Sequence, residues 1–284
     1  METKRYSFAR ETWQRLMRNR LAAVGLFVLV LLVLCAIFAD VIAPFPYDET
    51  NLNEAYCAPC AAHWFGTDEF GRDIFSRVVY GARISLRVGF IAVGISVVVG
   101  GLLGAVAGFF GSHLDNLIMR AMDIVMSIPS TILAISIAAA LGSGLTNLMI
   151  ATGVSAIPTY ARIVRASVLS IKEQEFVEAA RAVGTRSFTI IRKHILPNCL
   201  APIIVQATLG VAFAILTAAG LSFIGLGIEP PTPEWGSMLS SARSYIRDYS
   251  YMCLFPGLAI AITIFSLNAL GDGLRDALDP KLRG

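Results

Sequence analysis

The sequence predicts an all-α, polytopic membrane protein with six transmembrane helices. Three observations carry this. The 284-residue chain is 56% hydrophobic and only 15% charged, well below the charge content usual for soluble domains. Its apolar residues gather in long runs, the first being nineteen uncharged residues from Leu21 to Ala39, enough to cross a ~30 Å hydrocarbon core at ~1.5 Å per residue. Its Lys and Arg residues, finally, are distributed unevenly between the predicted sides.

Taken in order, residues 1–20 carry Lys4, Arg5, Arg10, Arg15, Arg18 and Arg20 around Trp13 and Leu16, a basic amphipathic segment for the membrane surface. Residues 21–42 form the first span. Its run is too long for a signal-peptide core, no small-residue cleavage site precedes Asp40, and Leu34 spoils a lipoprotein signal before Cys35. Residues 43–83 read as an external loop with Pro44, Pro46 and Pro59. Thr67 or Asp68 is placed to cap a helix, and Ile74, Phe75, Val78 and Val79 form an apolar face opposite Arg72, Ser76 and Arg77. That pattern predicts a separate helix at the membrane interface.

Residues 84–273 hold five further spans, near 86–110, 117–141, 145–165, 200–228 and 252–271, interrupted by a polar loop at 168–199. Gly100 and Gly104 have the spacing that lets membrane helices approach closely. Pro129, Pro158, Pro202 and Pro256 predict kinks. Arg120 and Asp123, three residues apart, are expected to pair structurally; a proton relay would need further ionisable groups at mid-membrane depth. Ser136, Thr152, Ser155 and Asn268 are polar residues that a pathway would use. Residues 229–251 form a proline-rich outer loop, with Trp235 expected at the interface, and residues 274–284 close the chain.

With six spans and the amino terminus inside, seventeen of the 23 Lys and Arg residues fall inside and six outside (Arg72, Arg77, Arg83, Arg87, Arg243 and Arg247). Both termini are then expected in the cytoplasm. The mild basic balance gives no reason to expect nucleic acid. Cys57 and Cys60 form one C-x-x-C with His63 nearby, too few groups for a zinc site; a local disulfide is open if the loop faces an oxidising compartment.

The polar loop carries the functional signal. Gln174 to Val183 reads as a short helix with an apolar stripe of Phe176, Ala179, Ala180 and Val183, flanked by Glu175, Glu178 and Arg181. Gly184 ends it, and Thr185 or Ser187 caps a second helix that stops near Leu196-Pro197. The result is a knob suited to a partner's groove, or else an amphipathic loop with no partner. Glu178-Ala179-Ala180, three residues, Gly184, then Leu196-Pro197 resembles the EAA loop of permease subunits of bacterial ABC importers. His194 stands where many members carry isoleucine, and His194-x-Leu-Pro-Asn198 is instead similar to the dipeptide, oligopeptide and nickel branch. Gly66-Thr67-Asp68, Gly71-Arg72-Asp73 and Gly81-Ala82-Arg83-Ile84-Ser85-Leu86 look like the second permease of that branch, as does the segment from Asn268 to Arg283.

The resemblance implies the type I importer permease fold. It also implies a sister permease, two ATP-binding subunits, an external solute-binding protein, and a bacterial inner membrane. Phe176, Glu178, Ala179, Ala180, Arg181, Gly184, Leu196 and Pro197 would form the ATPase-coupling surface. No Gly-Lys dipeptide occurs, so ATP would be bound by the partners and this chain would need no cofactor of its own. No nucleophile–base or metal motif suggests an enzyme. A stand-alone channel or secondary transporter, or a membrane scaffold, are the rivals. Dipeptides, oligopeptides, glutathione, opines and nickel are all carried by chains resembling this one, with short peptides ranked first.

Overall fold

The computed structural model describes residues 8–278, so Lys4, Arg5 and Asp279 lie outside the described residues. The described residues form twelve α-helices joined by loops and short turns, with no strand among them. These are α1 (Phe8–Arg18), α2 (Arg20–Ile37), α3 (Ala39–Ile42), α4 (Ile74–Phe110), α5 (Ser112–Met126) and α6 (Ser130–Leu141). They continue as α7 (Leu145–Lys172), α8 (Glu175–Ala182), α9 (Ser187–Ile190), α10 (Leu200–Phe223), α11 (Trp235–Ala242) and α12 (Tyr251–Leu278).

Four stretches are long and apolar enough to cross a membrane: α2, α4, the run Ser187–Phe223, and α12. The predicted span at 117–141 is instead a broken pair, α5 and α6, bent by 84°. Pro129 sits at the break, where it can neither donate a hydrogen bond nor allow helical geometry in the residue before it. The stretch predicted at 145–165 extends to Lys172 as α7, which has the length of a span but carries more polar residues. Much of α7 is buried by its neighbours, so it faces less lipid than a fully apolar helix must.

Residues 74–83 are not a separate interfacial helix. They are the first turns of α4, whose 37 residues run ~55 Å and overhang a ~30 Å core. Its N-cap is Asp73, which accepts from the Ser76 N–H, rather than Thr67 or Asp68.

The packing of α4 on α7 forms the spine of the molecule. A Cβ built at Gly100 would stand 2.6 Å from the Ile157 carbonyl oxygen, and one at Gly104 would overlap that of Ala161. Hydrogen in place of a side chain brings the two backbones together, as the glycine spacing predicts. Ser96 reinforces the contact, its hydroxyl lying 2.7 Å from the Gly153 carbonyl oxygen. Gly104→Leu is expected to separate the helices and destabilise the fold by about 1–3 kcal/mol, read as a lower melting temperature in detergent.

The loops before α4 and around α11 fold back onto the bundle. Arg83 caps the end of α2, donating to the Ala36 and Ile37 carbonyls at 2.8 and 3.1 Å and pairing with Asp40 at 3.0 Å. This cation satisfies carbonyls that a helix C-terminus leaves unpaired. Trp235 is buried, not interfacial: its indole N–H donates to the Val78 carbonyl at 3.0 Å, beside Gly81 of α4. Glu234, also buried, caps α11 by accepting from the Gly236 and Ser237 N–H groups at 2.9 Å each. Burial pushes its carboxyl above the usual carboxylate range, against the pull of those two donors.

Candidate functional site

Two features stand out: a knob between α7 and α10, and a cavity inside the bundle. The knob begins with α8, whose inner side buries Val177 and Ala180 against Val164, Val168, Ile190, Ile195 and Cys199. The buried stripe is therefore Val177 and Ala180. Phe176, Ala179 and Val183, expected on one apolar face with Ala180, lie exposed, as do Glu178 and Arg181. The apolar stripe is split because α7 and the following turns cover only one side of so short a helix.

Gly184 ends α8 as its sequence position predicts, with φ +76. Its N–H bonds the Arg181 carbonyl at 2.9 Å, and the Thr185 N–H bonds that of Ala180 at 3.0 Å. These two bonds are a Schellman closure, which needs a left-handed residue at this position. The chain then enters α9 without a side-chain cap from Thr185 or Ser187. It does not stop at Leu196-Pro197. It continues through a π turn (Ile191–Ile195) and a 3₁₀ turn (Leu196–Cys199) directly into α10. Pro197 fits because it lies in the first turn of the 3₁₀ segment, where its missing N–H costs nothing. Leu196 is half-buried and Pro197 exposed.

The outer surface of the knob is unusually apolar for an exposed turn. Val183 is 80% exposed, Phe188 72% and Phe176 42%. Sequence reasoning did not single out Phe188, because the second helix offers too few residues to display a period. At its base the knob is fastened to the bundle. Lys172 donates to the Gly108 carbonyl at 3.0 Å, and the Arg181 guanidinium lies 5.3 Å from the centre of the Phe109 ring. Arg165 makes a two-pronged pair with Asp115, at 2.5 and 2.7 Å, joining α7 to α5. These contacts tie α4 and α5 to α7, from which the knob continues.

The expected Arg120–Asp123 pair is replaced. Asp123 binds Arg162 of α7 at 2.5 Å, so α5 uses its carboxylates to reach a neighbouring helix rather than its own next turn. Both side chains are about half exposed, which limits such a pair to ~0–1 kcal/mol. Asp123→Asn is expected to shift stability by less than about 1 kcal/mol, while Asp115→Asn, which breaks the bidentate pair, costs more. Thermal unfolding of the two variants side by side checks the order.

The cavity, of about 550 Å³, lies where α4, α6, α7, α10 and α12 converge. Its polar lining includes Thr152, Ser155, Gln206 and Asn268, three of them expected as pathway residues. Ser136 is not among the lining; its hydroxyl bonds the Ile132 carbonyl within α6. The Tyr160 hydroxyl donates to the Gln206 carbonyl at 3.2 Å, closing one side. The Thr152 hydroxyl is buried with no hydrogen-bond partner. The lining holds hydroxyl and amide groups and no imidazole, thiol or carboxylate.

Comparison with known proteins agrees with this architecture. Residues 100–284 match the family described as binding-protein-dependent transport system inner membrane component. Residues 7–59 match the N-terminal TM domain of oligopeptide transport permease C. The chain is 50% identical over 274 residues to the dipeptide transport system permease protein DppC of Alkalihalophilus pseudofirmus, covering 96% of this chain and 90% of that one. It is 46% identical over 278 residues to the glutathione transport system permease protein GsiD of Escherichia coli, covering 96% and 91%. In fold it resembles a chain of the inward-facing MetNI methionine ABC transporter, with a TM-score of 0.58 at 22% identity over 72% of this chain and 97% of that one. The chain belongs to the binding-protein-dependent inner membrane components, as a multi-pass, DppC/OppC-like permease subunit of an ATP-driven importer.

Proposed function

We propose that this chain forms one half of the translocation path for short peptides and draws on ATP through the knob at 175–199. The exposed apolar side chains of Phe176, Val183 and Phe188, on a knob whose Arg181 lies over Phe109 at the end of α4, carry the reading. Such a surface suits a groove in a partner better than water. Phe176, Glu178, Ala179, Ala180, Arg181, Gly184, Leu196 and Pro197 are assigned to that contact or to its shape. Ala179 leaves room for close approach, and Glu178 adds an anionic contact.

The partners in this reading are a sister permease, two ATP-binding subunits and an external solute-binding protein. ATP is bound by those subunits, and this chain holds no cofactor. The charge distribution supports cytoplasmic termini in a bacterial inner membrane, with the knob inside and residues 43–73 outside. ATP binding draws the two ATPases together, the knobs follow, and the ends of α4, α5 and α7 move with them. The break at Pro129 between α5 and α6, beside the cavity residue Ser130, is where the bundle has the least continuous backbone to resist that change.

The relatives named for dipeptide, di/tripeptide and glutathione transport support a short peptide as solute. The cavity agrees with it, because neutral hydroxyl and amide groups can hydrogen-bond peptide N–H and C=O groups without fixing one side chain. The test is uptake into proteoliposomes holding the purified assembly, ATP and the loaded binding protein, with dipeptide, glutathione and nickel compared. ATP-dependent dipeptide or glutathione uptake supports the reading. Uptake that proceeds without ATP favours a channel or secondary transporter, and preference for nickel removes the peptide assignment.

A further inference from the structure

The outer loop carries chemistry that the transport reading does not use. Cys57 and Cys60, both unbridged, lie three residues apart on one braced loop, the Cys57 thiol donating to the Ala58 carbonyl at 3.5 Å. The turn is braced from both sides. The Cys57 N–H donates to the Thr67 hydroxyl at 2.8 Å, and the Thr67 N–H returns to the Cys57 carbonyl at 3.0 Å. The Cys60 N–H donates to the His63 carbonyl at 2.9 Å, and the His63 N–H points at the Cys60 sulfur from 3.4 Å.

The two thiols are unequal. Cys60 is exposed and Cys57 half-buried. Backbone N–H groups of His63 and Ala62 hold the Cys60 thiol below its usual range, although Glu54 pushes the other way. Burial raises the Cys57 thiol, and the neighbouring Cys60 acts in the same direction. An exposed, thiolate-favouring sulfur beside a protected second one is the arrangement of an attacking and a resolving cysteine. Metal binding does not fit. The His63 ring is already bound to Asp73 at 2.9 Å and approaches Glu54 at 3.5 Å, and no cluster of three ligands occurs among the described residues.

We propose that Cys57 and Cys60 form a dithiol–disulfide site on the outer face, with Cys60 as the nucleophile towards low-molecular-weight disulfides. The outward placement rests on the topology proposed above. The Cys60 thiolate attacks a disulfide RSSR, forming a Cys60–S–S–R bond and expelling RS⁻. The Cys57 thiol, losing its proton to solvent or to the departing thiolate, then attacks the Cys60 sulfur and expels the second RS⁻. Two protein thiols are oxidised to one disulfide and RSSR is reduced to two RSH, so atoms, electrons and protons balance.

The site lies at a structural junction. The neighbouring Tyr56 ring stacks on Tyr249 at 4.5 Å, and the Tyr251 hydroxyl donates to the Thr67 carbonyl at 3.3 Å. Bridging the turn therefore stiffens the seam between the 43–73 loop and the start of α12.

The experiment uses the full chain in native membranes, exposed to glutathione disulfide, then alkylated under denaturing conditions and mapped by mass spectrometry. The expected result is a Cys57–Cys60 bridge, with Cys35, Cys199 and Cys253 still alkylated. Cys57→Ser is expected to trap one glutathione on Cys60, and Cys60→Ser to slow modification of Cys57 at least ~tenfold. Alkylation of both cysteines after treatment, or equal rates in the two variants, overturns the proposal. A membrane-impermeant maleimide applied to intact cells tests placement separately. If it fails to reach reduced Cys60 while detergent-solubilised protein still forms the bridge, the dithiol chemistry is upheld and the topology is what fails.

Discussion

Gly184→Val is expected to lower ATP-coupled uptake by about tenfold or more while the chain still inserts and folds. The reason is confined to the backbone. A Cβ at Gly184 would meet nothing within 4 Å, so no steric clash with neighbours arises. The residue must nevertheless hold φ +76, the left-handed region, which costs an L-residue ~1–2 kcal/mol and a β-branched one the most. Valine therefore opens the closure in which Gly184 and Thr185 bond the carbonyls of Arg181 and Ala180, and turns Val183 and Phe188 away from their shared surface. Gly184→Asn separates conformation from size, since Asn enters the left-handed region readily; it is expected to retain most of the uptake. Equal loss in the Asn and Val variants would show that the glycine acts other than through its φ angle.

Asp68→Ala is expected to destabilise the folded chain by about 3–5 kcal/mol. Asp68 is the buried hub of the cap formed by residues 43–73. One carboxylate oxygen accepts the Phe70 and Arg72 N–H groups at 2.9 and 3.0 Å. The other accepts Arg72 Nε at 2.6 Å and lies 3.6 Å from Arg77 Nε. Arg72 and Arg77 are each 5% exposed, so removing Asp68 leaves Arg77 without its ion-pair partner and Arg72 with Glu69 alone, at 3.8 Å, where little water reaches. Arg77 keeps its bonds to the Tyr47 and Pro231 carbonyls, at 2.8 and 3.2 Å, but these do not neutralise it. Asp68→Asn retains an acceptor for the backbone and should fall between Ala and the parent. Protease resistance of the 43–73 loop and melting in detergent report the loss.

The sequence made the class legible because membrane spans are written in composition: α2, α4, α10 and α12 all fall on runs visible by eye. Gly184, Gly100 and Gly104 were legible for a related reason, since glycine at those positions has few other uses. What escaped was set by tertiary contact. Trp235 reads as an interfacial anchor until α4 is seen to offer Gly81 as a slot for its ring. Asp123 has a cation three residues away in sequence, yet it pairs with one 39 residues on, because α7 lies alongside. The apolar stripe of α8 follows helical period correctly, but period alone does not say which side α7 will cover. The 84° break at Pro129 was expected only as a kink, since a proline marks where a helix fails without giving the direction taken afterwards.

The knob is expected to be where a partner ATPase meets this chain. A photo-crosslinking amino acid placed at Phe188, 72% exposed on the knob, tests it in membranes holding the native partners. The same probe at Phe265, 60% exposed on α12 within a span, serves as the control. The Phe188 probe is expected to capture an ATP-binding subunit, identified by its phosphate loop in mass spectrometry, and the Phe265 probe is not. A Phe188 probe that captures only lipid or solvent, while Gly184→Val leaves uptake intact, would contradict it.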